Sequence, residues 1–378
     1  MQKTERLHVF YNRRKVGTMA VYKNVLAAFE YDKEWLAEGF SISPFSLPLQ
    51  QKVFIPKADP FDGVFGVFAD TLPDGWGRLL VDRMLLRNNI DPGRIGQLDR
   101  LAIVGDSGMG ALTYKPEIRF EKKEGFSDLD CIAEECATML ETNQSENLDE
   151  LFRLGGSSGG ARPKILTKMN GEDWIVKFPS GSDAGNIGLQ EYEYSLCARE
   201  CGIRMVETKL FSSARCDGYF GTRRFDRKIV KGKEQRILMV SVSGLLETSH
   251  RIPNLDYDLL MKLTLALTRD FTEIERLYRL MCFNVFAHNR DDHSKNFSFL
   301  YDEKRSHWTL APAYDLTFSY SLGGEHATSV HGNGKNPGLC DVLAVAKEIG
   351  LEQRKAKCIA EEIRECVHAR LQKYLRQK

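Results

Sequence analysis

The feature that most constrains this sequence is a polar string, Asp291-Asp-His-Ser-Lys-Asn296, that comes soon after the apolar segment 281–287. The apolar segment predicts a buried helix end, which would give the string a rigid support. Asp315 follows Asn296 by nineteen residues. In the phosphoryl-transfer plan of kinases, an aspartate positions the attacking hydroxyl, an asparagine five residues later holds metal, and an aspartate beyond a short hairpin grips the Mg-ATP phosphates. The order and spacing predict such a site.

Composition sets the broad class of the protein. The chain has 378 residues, of which 42% are hydrophobic and 28% are charged. It can therefore bury a substantial core in more than one domain. The formal net charge of +1 excludes a global attraction to nucleic acid or to an anionic membrane. Local basic clusters remain at 13–15 and 223–224, where a solvated face is the alternative interpretation.

Cysteine usage and the N-terminal sequence indicate the compartment. The nine cysteines include no Cys-x-x-Cys pair, and the spacings Cys131/Cys136 and Cys197/Cys201 lie in helix-like segments as small apolar residues. The first residues lack an apolar signal region, and no run approaches the roughly 20 apolar residues that span a bilayer. We therefore expect reduced thiols, no membrane association and a cytoplasmic location.

Periodicity predicts an alternation of small sheets and helices. The run Leu7–Phe29 predicts an antiparallel sheet with a turn at Tyr-Asn-Arg-Arg-Lys. Further predicted strands are 151–154, 164–168, 174–178, 218–225 and 235–242, and predicted helices are 76–86, 128–140, 190–201, 255–287 and 339–375. The acidic stretch 141–150 interrupts the periodicity and predicts a domain boundary. We predict an N-terminal subdomain over 1–145, an ATP-binding small lobe over 146–250 and a helical catalytic lobe over 251–378.

Each residue of the polar string has a functional and an ordinary interpretation. Asp291 is the candidate catalytic carboxylate, and a capping aspartate is the alternative. Asn296 is the candidate metal ligand beside Asp315, because a neutral amide oxygen binds Mg²⁺ without adding negative charge near phosphates; a turn-forming asparagine is the alternative. His293 would contact phosphate or brace the loop through a backbone hydrogen bond. Asp292 is expected to be solvated.

An apolar strand upstream supplies the cation that such a site requires. Lys177 lies in Trp174-Ile-Val-Lys-Phe-Pro179, and kinases place a strand lysine on the ATP phosphates with an acidic helix residue to orient it. Glu191 is the first candidate for that acidic partner and Glu193 the second. The alternative for Lys177 is a charge that protects an edge strand from aggregation.

A glycine-rich run, 155–160, separates two predicted strands. It lacks the Gly-Lys-Ser/Thr ending of a Walker A loop, which argues against a P-loop NTPase. Backbone amides after Gly159 and Gly160 could still cradle phosphates, with Arg162 and Lys164 adding positive charge. Ser157 and Ser158 are expected to be exposed hydroxyls and candidate regulatory phosphorylation sites, with ordinary loop serines as the alternative.

A metal-dependent phosphohydrolase is a different interpretation of the same region. It would use His288, Asp291, Asp292 and His293 as ligands, since imidazole and carboxylate suit transition metals. Such a site usually needs ligands on other helices, and His250 is the only histidine between the glycine-rich run and this cluster. This interpretation also leaves the upstream lobe unexplained.

Several motifs together resemble the HipA family of serine/threonine kinase toxins, along nearly the whole chain. The N-terminal part contributes Phe40-Ser-Ile-Ser-Pro-Phe-Ser-Leu-Pro-Leu49 and Phe68-Ala-Asp-Thr-Leu-Pro-Asp-Gly75. The rest contributes Gly155–Lys164, Val176-Lys-Phe-Pro179, Arg224-Phe-Asp-Arg227, Asp291–Phe297 and Leu310-Ala-Pro-Ala-Tyr-Asp315. The resemblance implies an α+β, two-lobed protein-kinase-like fold with a β-rich N-terminal subdomain and a mostly helical C-terminal lobe.

The resemblance also implies an activity and its residues. It implies ATP-dependent phosphorylation of a protein serine or threonine with Mg²⁺ as cofactor, in which Asp291 and Lys177 are catalytic and Asn296 and Asp315 bind the metal. The implied ATP contacts are Gly159, Gly160, Ala161, Arg162, Lys164, Lys177, His293, Lys295, Asn296 and Asp315, with an adenine-contacting hinge at Val240, Ser241 and Val242. Ser157 falls where the family carries an autophosphorylated serine that ejects the loop and switches the kinase off, and Ser158 is adjacent.

Partners and targets follow from the same resemblance. The family's usual partner is a small helix-turn-helix HipB-like antitoxin that binds operator DNA, and its known targets are aminoacyl-tRNA synthetases such as glutamyl-tRNA synthetase. Growth arrest through impaired translation is the implied outcome. The loop sequence Ser-Ser-Gly-Gly-Ala-Arg-Pro-Lys differs from that of the best-known member. The alternatives are a pseudokinase-like nucleotide-binding co-repressor and a small-molecule kinase.

Overall fold

The chain folds into two compact units. The computed structural model describes residues 3–120, 128–181, 183 and 185–376. The first unit comprises Met1–Gly188 with Lys209–Thr248, and the second comprises Leu189–Thr208 with Ser249–Lys378. The division of the chain into domains at residues 145 and 250 stays a prediction.

Strands and helices alternate along the described residues. The strands are β1 Arg6–Tyr11, β2 Arg14–Tyr22, β3 Leu26–Tyr31, β4 Val53–Phe54, β5 Leu112–Lys115, β6 Lys164–Met169, β7 Glu172–Lys177, β8 Thr208–Phe211, β9 Tyr219–Arg223, β10 Arg227–Val230, β11 Lys233–Arg236, β12 Leu238–Ser241, β13 Leu255–Asp256, β14 Ser298–Asp302, β15 His307–Leu310 and β16 Thr328–Ser329. The α-helices are α1 Lys33–Glu38, α2 Gly66–Ala69, α3 Gly75–Arg87, α4 Gln97–Val104, α5 Leu129–Thr142, α6 Leu148–Gly155, α7 Ile187–Glu200, α8 Val242–Leu246, α9 Tyr257–Thr268, α10 Phe271–Phe286, α11 Leu339–Glu348 and α12 Gln353–Leu375. Short 3-10 helices cover Pro92–Arg94, Ser294–Asn296 and Leu322–Gly324.

An antiparallel sheet opens the first unit, in the order β4-β3-β2-β1-β5. Leu7, Val9 and Tyr11 alternate with less buried residues along β1, so one face of the strand contributes to the core. Asn12 and Arg13 both have positive φ, as the two central residues of a tight hairpin turn require. The sheet predicted from the alternating pattern is confirmed.

A second sheet in the first unit, in the order β6-β7-β9-β8, packs on helices. Trp76 and Leu80 of α3 share a core with Leu151 of α6, Ile165 of β6 and Val176 of β7. These apolar side chains are all nearly inaccessible to solvent. The helix α3 therefore anchors the N-terminal motif to the sheet that carries Lys177.

The prediction of a strand over 151–154 was wrong, because these residues lie inside α6. Leu148, Leu151 and Leu154 recur every three residues and are buried, which is the spacing of one helix face. Arg153 and Glu150 pair at the i, i+3 spacing on that helix. A short apolar run does not distinguish a strand from a buried helix by periodicity alone.

The second unit is mostly helical. Helix α10 contacts α9, α11 and α12, and Phe283 and Val285 near its C-terminal end are buried. The β14–β15 hairpin follows, and the buried Glu273 carboxylate of α10 accepts a hydrogen bond from the Leu310 backbone amide at 3.2 Å. This contact fixes the hairpin on the helix that precedes the polar string. The predicted buried helix end at 281–287 is confirmed.

Candidate active site

The polar string is mounted on a buried hydrogen-bond chain at the end of α10. The amide of Asn289 donates to the side-chain oxygen of Asn284 at 2.9 Å, and the amide of Asn284 donates to the Tyr257 hydroxyl at 2.9 Å. That hydroxyl in turn donates to the Asp292 carboxylate at 2.9 Å. Because each link is buried, the chain ties the string to α9 and α10 with little freedom.

Asp292 was expected to be solvated, and this prediction was wrong. Its side chain is fully buried and accepts hydrogen bonds from the Tyr257 hydroxyl and, at 3.2 Å, from the Thr328 backbone amide. The Nδ1 atom of His326 lies 3.0 Å from the same carboxylate. Burial and the neighbouring Asp292 carboxylate raise the pKa of Tyr257 well above its ordinary value. A buried carboxylate needs such partners, so Asp292 braces the string from within.

Asp291 has the opposite environment. Its side chain is 63% exposed, and one of its carboxylate oxygens lies 3.8 Å from Nε2 of His293. Asn296 donates from its side-chain amide to the Asp291 carbonyl at 2.6 Å and from its backbone amide to the His293 carbonyl at 2.8 Å. The polar string therefore closes on itself, with the Asp291 carboxylate on its accessible side.

His293 braces this turn. Its Nδ1 atom accepts a hydrogen bond from the Lys295 backbone amide at 3.3 Å, which is the bracing role considered from the sequence. Its contact with phosphate stays a prediction.

Asp315 is held close to this turn by its neighbour. The Tyr314 hydroxyl donates to the Lys295 carbonyl at 2.6 Å and lies 2.6 Å from the Ser298 hydroxyl. Asp315 itself has φ of 55°, an uncommon conformation outside glycine that fixes how its side chain leaves the backbone. The Tyr314 hydroxyl therefore ties the residue before Asp315 to the segment that contains Asn296, and convergence of the Asn296 and Asp315 side chains stays a prediction.

The donor set suits magnesium. Mg²⁺ prefers oxygen ligands and is usually held by one or two carboxylates or amides together with substrate phosphates. Asn296 and Asp315 supply one amide oxygen and one carboxylate. Because the Asn296 amide nitrogen is bonded to the Asp291 carbonyl, its oxygen is the atom left for a metal.

The glycine-rich run forms a loop that the N-terminal motif holds in place. The Asp74 carboxylate accepts a hydrogen bond from the Gly160 backbone amide, and the Trp76 amide donates to the Gly160 carbonyl at 3.0 Å. A Cβ atom on Gly77 would lie 2.2 Å from the Ser158 carbonyl oxygen, so the two segments approach as closely as glycine permits. Gly160 and Ala161 remain exposed at the tip.

Ser157 and Ser158 were expected to be exposed, and this prediction was wrong. The Ser157 hydroxyl donates to the Ser107 carbonyl at 2.9 Å and the residue is 8% exposed. The Ser158 hydroxyl donates to the Gly155 carbonyl at 2.6 Å and the residue is 1% exposed. Both hydroxyls donate to backbone carbonyls instead of to water, so this part of the loop can be buried. Their role as phosphorylation sites stays a prediction.

Basic side chains surround the loop within the first unit. Lys164 and Lys177 are directly opposed on β6 and β7, so they share one face of the sheet. The Lys164 ammonium lies 2.6 Å from the position that a Cβ atom on Gly160 would take, and the Lys177 ammonium lies 5.6 Å from the ring centre of Phe220. Arg162 pairs with Asp183 at 3.2 Å. Two opposed cations beside the exposed loop tip favour an anionic ligand such as phosphate.

The predicted hinge, 240–242, is also held by the N-terminal motif. The Asp70 carboxylate accepts hydrogen bonds from the Ser241 backbone amide at 2.6 Å and from its hydroxyl at 2.7 Å. Val240 and Val242 are fully buried. Sequence reasoning missed the roles of Asp70 and Asp74, although both lie in the quoted motif 68–75, whose two carboxylates are four residues apart.

The candidate helix glutamates lie on α7, in the second unit. Glu191 is 3% exposed. Glu193 pairs instead with the Lys373 ammonium at 2.6 Å and the Tyr374 hydroxyl at 2.6 Å on α12. Glu193 therefore joins two helices, which leaves Glu191 as the stronger candidate.

The metal-hydrolase alternative receives no support. In the described part of the chain, His288, Asp291, Asp292 and His293 do not form a group of converging ligand atoms. The Asp292 oxygens are already bonded to Tyr257, His326 and Thr328. These bonds leave Asp292 poorly placed to ligate a metal.

Two family profiles match the chain. A profile of the HipA N-terminal domain matches residues 7–115, and a profile of the HipA-like C-terminal domain matches residues 156–371, more than half of the chain. The chain belongs to the HipA family. The resemblance stated from the motifs is confirmed.

A solved HipA structure supports the fold. It is a Shewanella oneidensis MR-1 toxin–antitoxin complex of HipA, HipB and operator DNA, which aligns with 98% of this chain and 90% of its own chain at a TM-score of 0.70 and 17% identity. The predicted α+β, kinase-like fold is confirmed. The Helicobacter pylori proinflammatory kinase CtkA aligns with 57% of this chain and 90% of its own at 16% identity, but its TM-score of 0.37 is too low to indicate a shared fold.

A curated relative matches part of the chain. The Sinorhizobium fredii (strain NBRC 101917 / NGR234) protein named Putative kinase Y4dM is 26% identical over 189 residues, which is 47% of this chain. The aligned region spans 44% of that relative's length. Among the described helices of this HipA-family chain, none is long and apolar enough to cross a membrane.

Proposed function

We propose that this HipA-family chain is an ATP-dependent serine/threonine protein kinase of the toxin type. The observation that carries the proposal is the turn in the second unit, in which Asn296 bonds back to the Asp291 backbone while Tyr314 ties the Asp315 segment to Lys295. An exposed carboxylate, an amide and a second carboxylate are thereby set in the order that phosphoryl transfer uses.

In the proposed reaction the second unit acts on the acceptor hydroxyl. The hydroxyl oxygen forms a bond to the γ-phosphorus of ATP, the bond to the β,γ-bridging oxygen breaks, and ADP leaves. Asp291 orients the hydroxyl and accepts its proton. Asn296 and Asp315 would hold Mg²⁺, which supplies charge neutralisation at the phosphate oxygens. Exposure of the Asp291 side chain leaves room for a protein acceptor.

The first unit would bind the nucleotide. Lys164 and Lys177 would contact its phosphates together with the backbone amides of Gly159 and Ala161, and the Gly160 amide would join them on leaving the Asp74 carboxylate. Arg162 would add to the phosphate contacts of this unit, and 240–242 would contact adenine. His293 and Lys295, in the second unit, stay predicted ATP contacts. The exposed tip of the glycine loop and the opposed lysines of β6 and β7 support this assignment.

Regulation and partners extend the proposal. The Shewanella oneidensis relative is bound to HipB and operator DNA, which supports a helix-turn-helix antitoxin as the partner of this chain and operator DNA as an indirect one. The family resemblance favours an aminoacyl-tRNA synthetase as the phosphorylated target, with inhibited translation as the outcome. Ser157, or Ser158 beside it, would carry a regulatory autophosphorylation.

Labelling separates this function from its alternatives. The purified chain is incubated with Mg²⁺, γ-labelled ATP and a cell lysate, and protein and small-molecule fractions are separated. Label on serine or threonine of protein, absent when the chain is omitted, is the expected result. Label confined to small molecules would establish a metabolite kinase, and no transfer despite ATP binding would establish a nucleotide-binding co-repressor.

A further inference from the structure

Three cysteine thiols converge in the second unit. Cys197 and Cys201 are four residues apart and lie on one face at the end of α7, and Cys366 lies on α12. All three sulfur atoms lie within 4.8 Å of one another, and those of Cys197 and Cys366 are 4.0 Å apart. Among the described residues, these three cysteines are the one set of three or more histidine, cysteine, aspartate or glutamate side chains whose ligand atoms lie close enough together to hold a metal ion.

The spacing of the sulfurs matches a metal–thiolate site. Three sulfurs bound to one zinc ion at about 2.3 Å in tetrahedral geometry stand about 3.8 Å apart. The Cys197–Cys366 separation already has this size, and the widest pair needs to contract by only about 1 Å. Side-chain rotation of that size leaves the helices in place.

A disulfide fits the same group less well. Sulfurs in a disulfide are about 2.05 Å apart, so a pair now separated by 4.0 Å would have to approach much further. Any one disulfide would also leave the third thiol unused beside it. A soft divalent cation uses all three sulfurs at once.

The surroundings provide access and a fourth ligand position. A cavity of about 340 Å³ is lined by Glu200, Cys201, Arg279 and Cys366. The Glu200 carboxylate lies 4.0 Å from the Cys366 sulfur and pairs with Arg370 at 2.7 Å. Three thiolates on a divalent ion carry one net negative charge, and beside it the Arg279 and Arg370 cations are matched by the Glu200 and Glu362 carboxylates. The cavity admits the ion and a water molecule, or the Glu200 carboxylate, as the fourth ligand.

We propose that Cys197, Cys201 and Cys366 form a zinc site that cross-links α7 to α12. Binding releases the thiol protons to solvent and replaces them with three zinc–sulfur bonds. Glu193 already joins the same two helices through Lys373 and Tyr374. The ion would add a second link between them, at the C-terminal end of α7. The proposal stands independently of the kinase function.

Metal binding tests this directly. The full chain is purified under reduction, stripped with a chelator, and titrated with Co²⁺ and then Zn²⁺. We expect near one equivalent of cobalt, with the sulfur-to-cobalt charge transfer and intense visible bands of a tetrahedral thiolate site, followed by displacement with zinc. Zinc should also raise the midpoint of thermal unfolding.

Matched serine variants locate the site. Cys366→Ser, at a partly exposed position, and Cys201→Ser should lose the cobalt spectrum and the thermal shift, whereas Cys358→Ser, an exposed cysteine on α12, should retain both. Absence of thiolate bands in the wild-type chain would overturn the proposal even if a variant failed to fold. Full retention in a folded Cys366→Ser chain, or a Cys197–Cys366 disulfide with no metal uptake after reduction, would also overturn it.

Discussion

The backbone amide of Trp76 donates a hydrogen bond to the carbonyl oxygen of Gly160 at 3.0 Å. The Asp74 carboxylate accepts from the amide of the same glycine, so one short segment of the N-terminal motif holds both sides of the loop tip. Gly75, between them, has φ of +44°, and a Cβ atom there would lie 2.4 Å from the Gly160 oxygen. The motif at 68–75 therefore positions the loop that we assign to ATP.

Replacing Asp74 should loosen this loop. Asp74→Ala removes a charged acceptor, a loss of about 1.5–3 kcal/mol for this kind of hydrogen bond. Amide hydrogen exchange over 157–162 should become about tenfold faster or more, while exchange in β6 changes little. Asp91→Ala, at an aspartate that is 61% exposed and caps a distant turn, is the matched control. Unchanged exchange in the Asp74 variant would show that the loop is held by other contacts.

A charge at Ser157 should expel the loop. The Ser157 hydroxyl is buried against the Ser107 carbonyl, and a carboxylate there would be desolvated beside an acceptor. Ser157→Glu should therefore expose the 157–162 segment to amide hydrogen exchange, whereas Ser157→Ala loses one hydrogen bond of about 1 kcal/mol and keeps the loop inward. A Glu variant that is as protected as wild type would count against a phosphorylation switch at this position.

The adjacent aspartates 291 and 292 should separate activity from stability. Asp292→Ala leaves the buried donors of Tyr257, His326 and Thr328 without their acceptor, which should lower the free energy of unfolding by about 3–5 kcal/mol. Asp291→Ala removes an exposed side chain and should change the free energy of unfolding by less than about 0.5 kcal/mol. Urea denaturation of the two variants checks this, and equal destabilisation would contradict the assignment.

Acid should weaken the first unit through Asp226. Burial alone would raise the pKa of Asp226, but the charges of Arg224 and Arg227 outweigh it and hold the pKa at about 2, below the ordinary 3.8. A depressed pKa stabilises the fold above the unfolded-state value and loses that stabilisation, about 2 kcal/mol, as pH falls from about 4 towards 2.

Asp226→Asn is the informative variant for this acid effect. It should be less stable than wild type at pH 7, by about 3–5 kcal/mol, because both buried arginines lose their carboxylate. Denaturant unfolding as a function of pH should also show a shallower acid loss in the variant. An identical acid profile in wild type and variant would exclude Asp226 as the group responsible.

Local patterns in the sequence determined much of this architecture. The alternation in 7–29 predicts the strands of the β1–β2 hairpin, whose turn residue Asn12 is also bonded to the distant Arg236 backbone. The long apolar helix α10 and the spacing from Asp291 to Asp315 were likewise predictable, because helix, turn and hairpin succeed one another directly along the chain.

Burial of polar residues was not predictable in the same way. Ser157 is buried because its hydroxyl meets a carbonyl fifty residues upstream, and Asp292 because donors thirty-four and thirty-six residues downstream return to it. No local pattern encodes such partners. The strand predicted over 151–154 failed for a different reason, since the run is too short for its period to be recognised without Leu148, which precedes it on the same helix face.

Phosphate incorporation from γ-labelled ATP by the purified wild-type and Asp291→Ala chains tests the central claim most directly. Asp291 is assigned to the acceptor hydroxyl, so the variant should still bind ATP and unfold at the wild-type temperature, yet transfer phosphate about 10²- to 10⁴-fold more slowly. Equal incorporation by the two chains would contradict the assignment of Asp291 and with it the proposed kinase site.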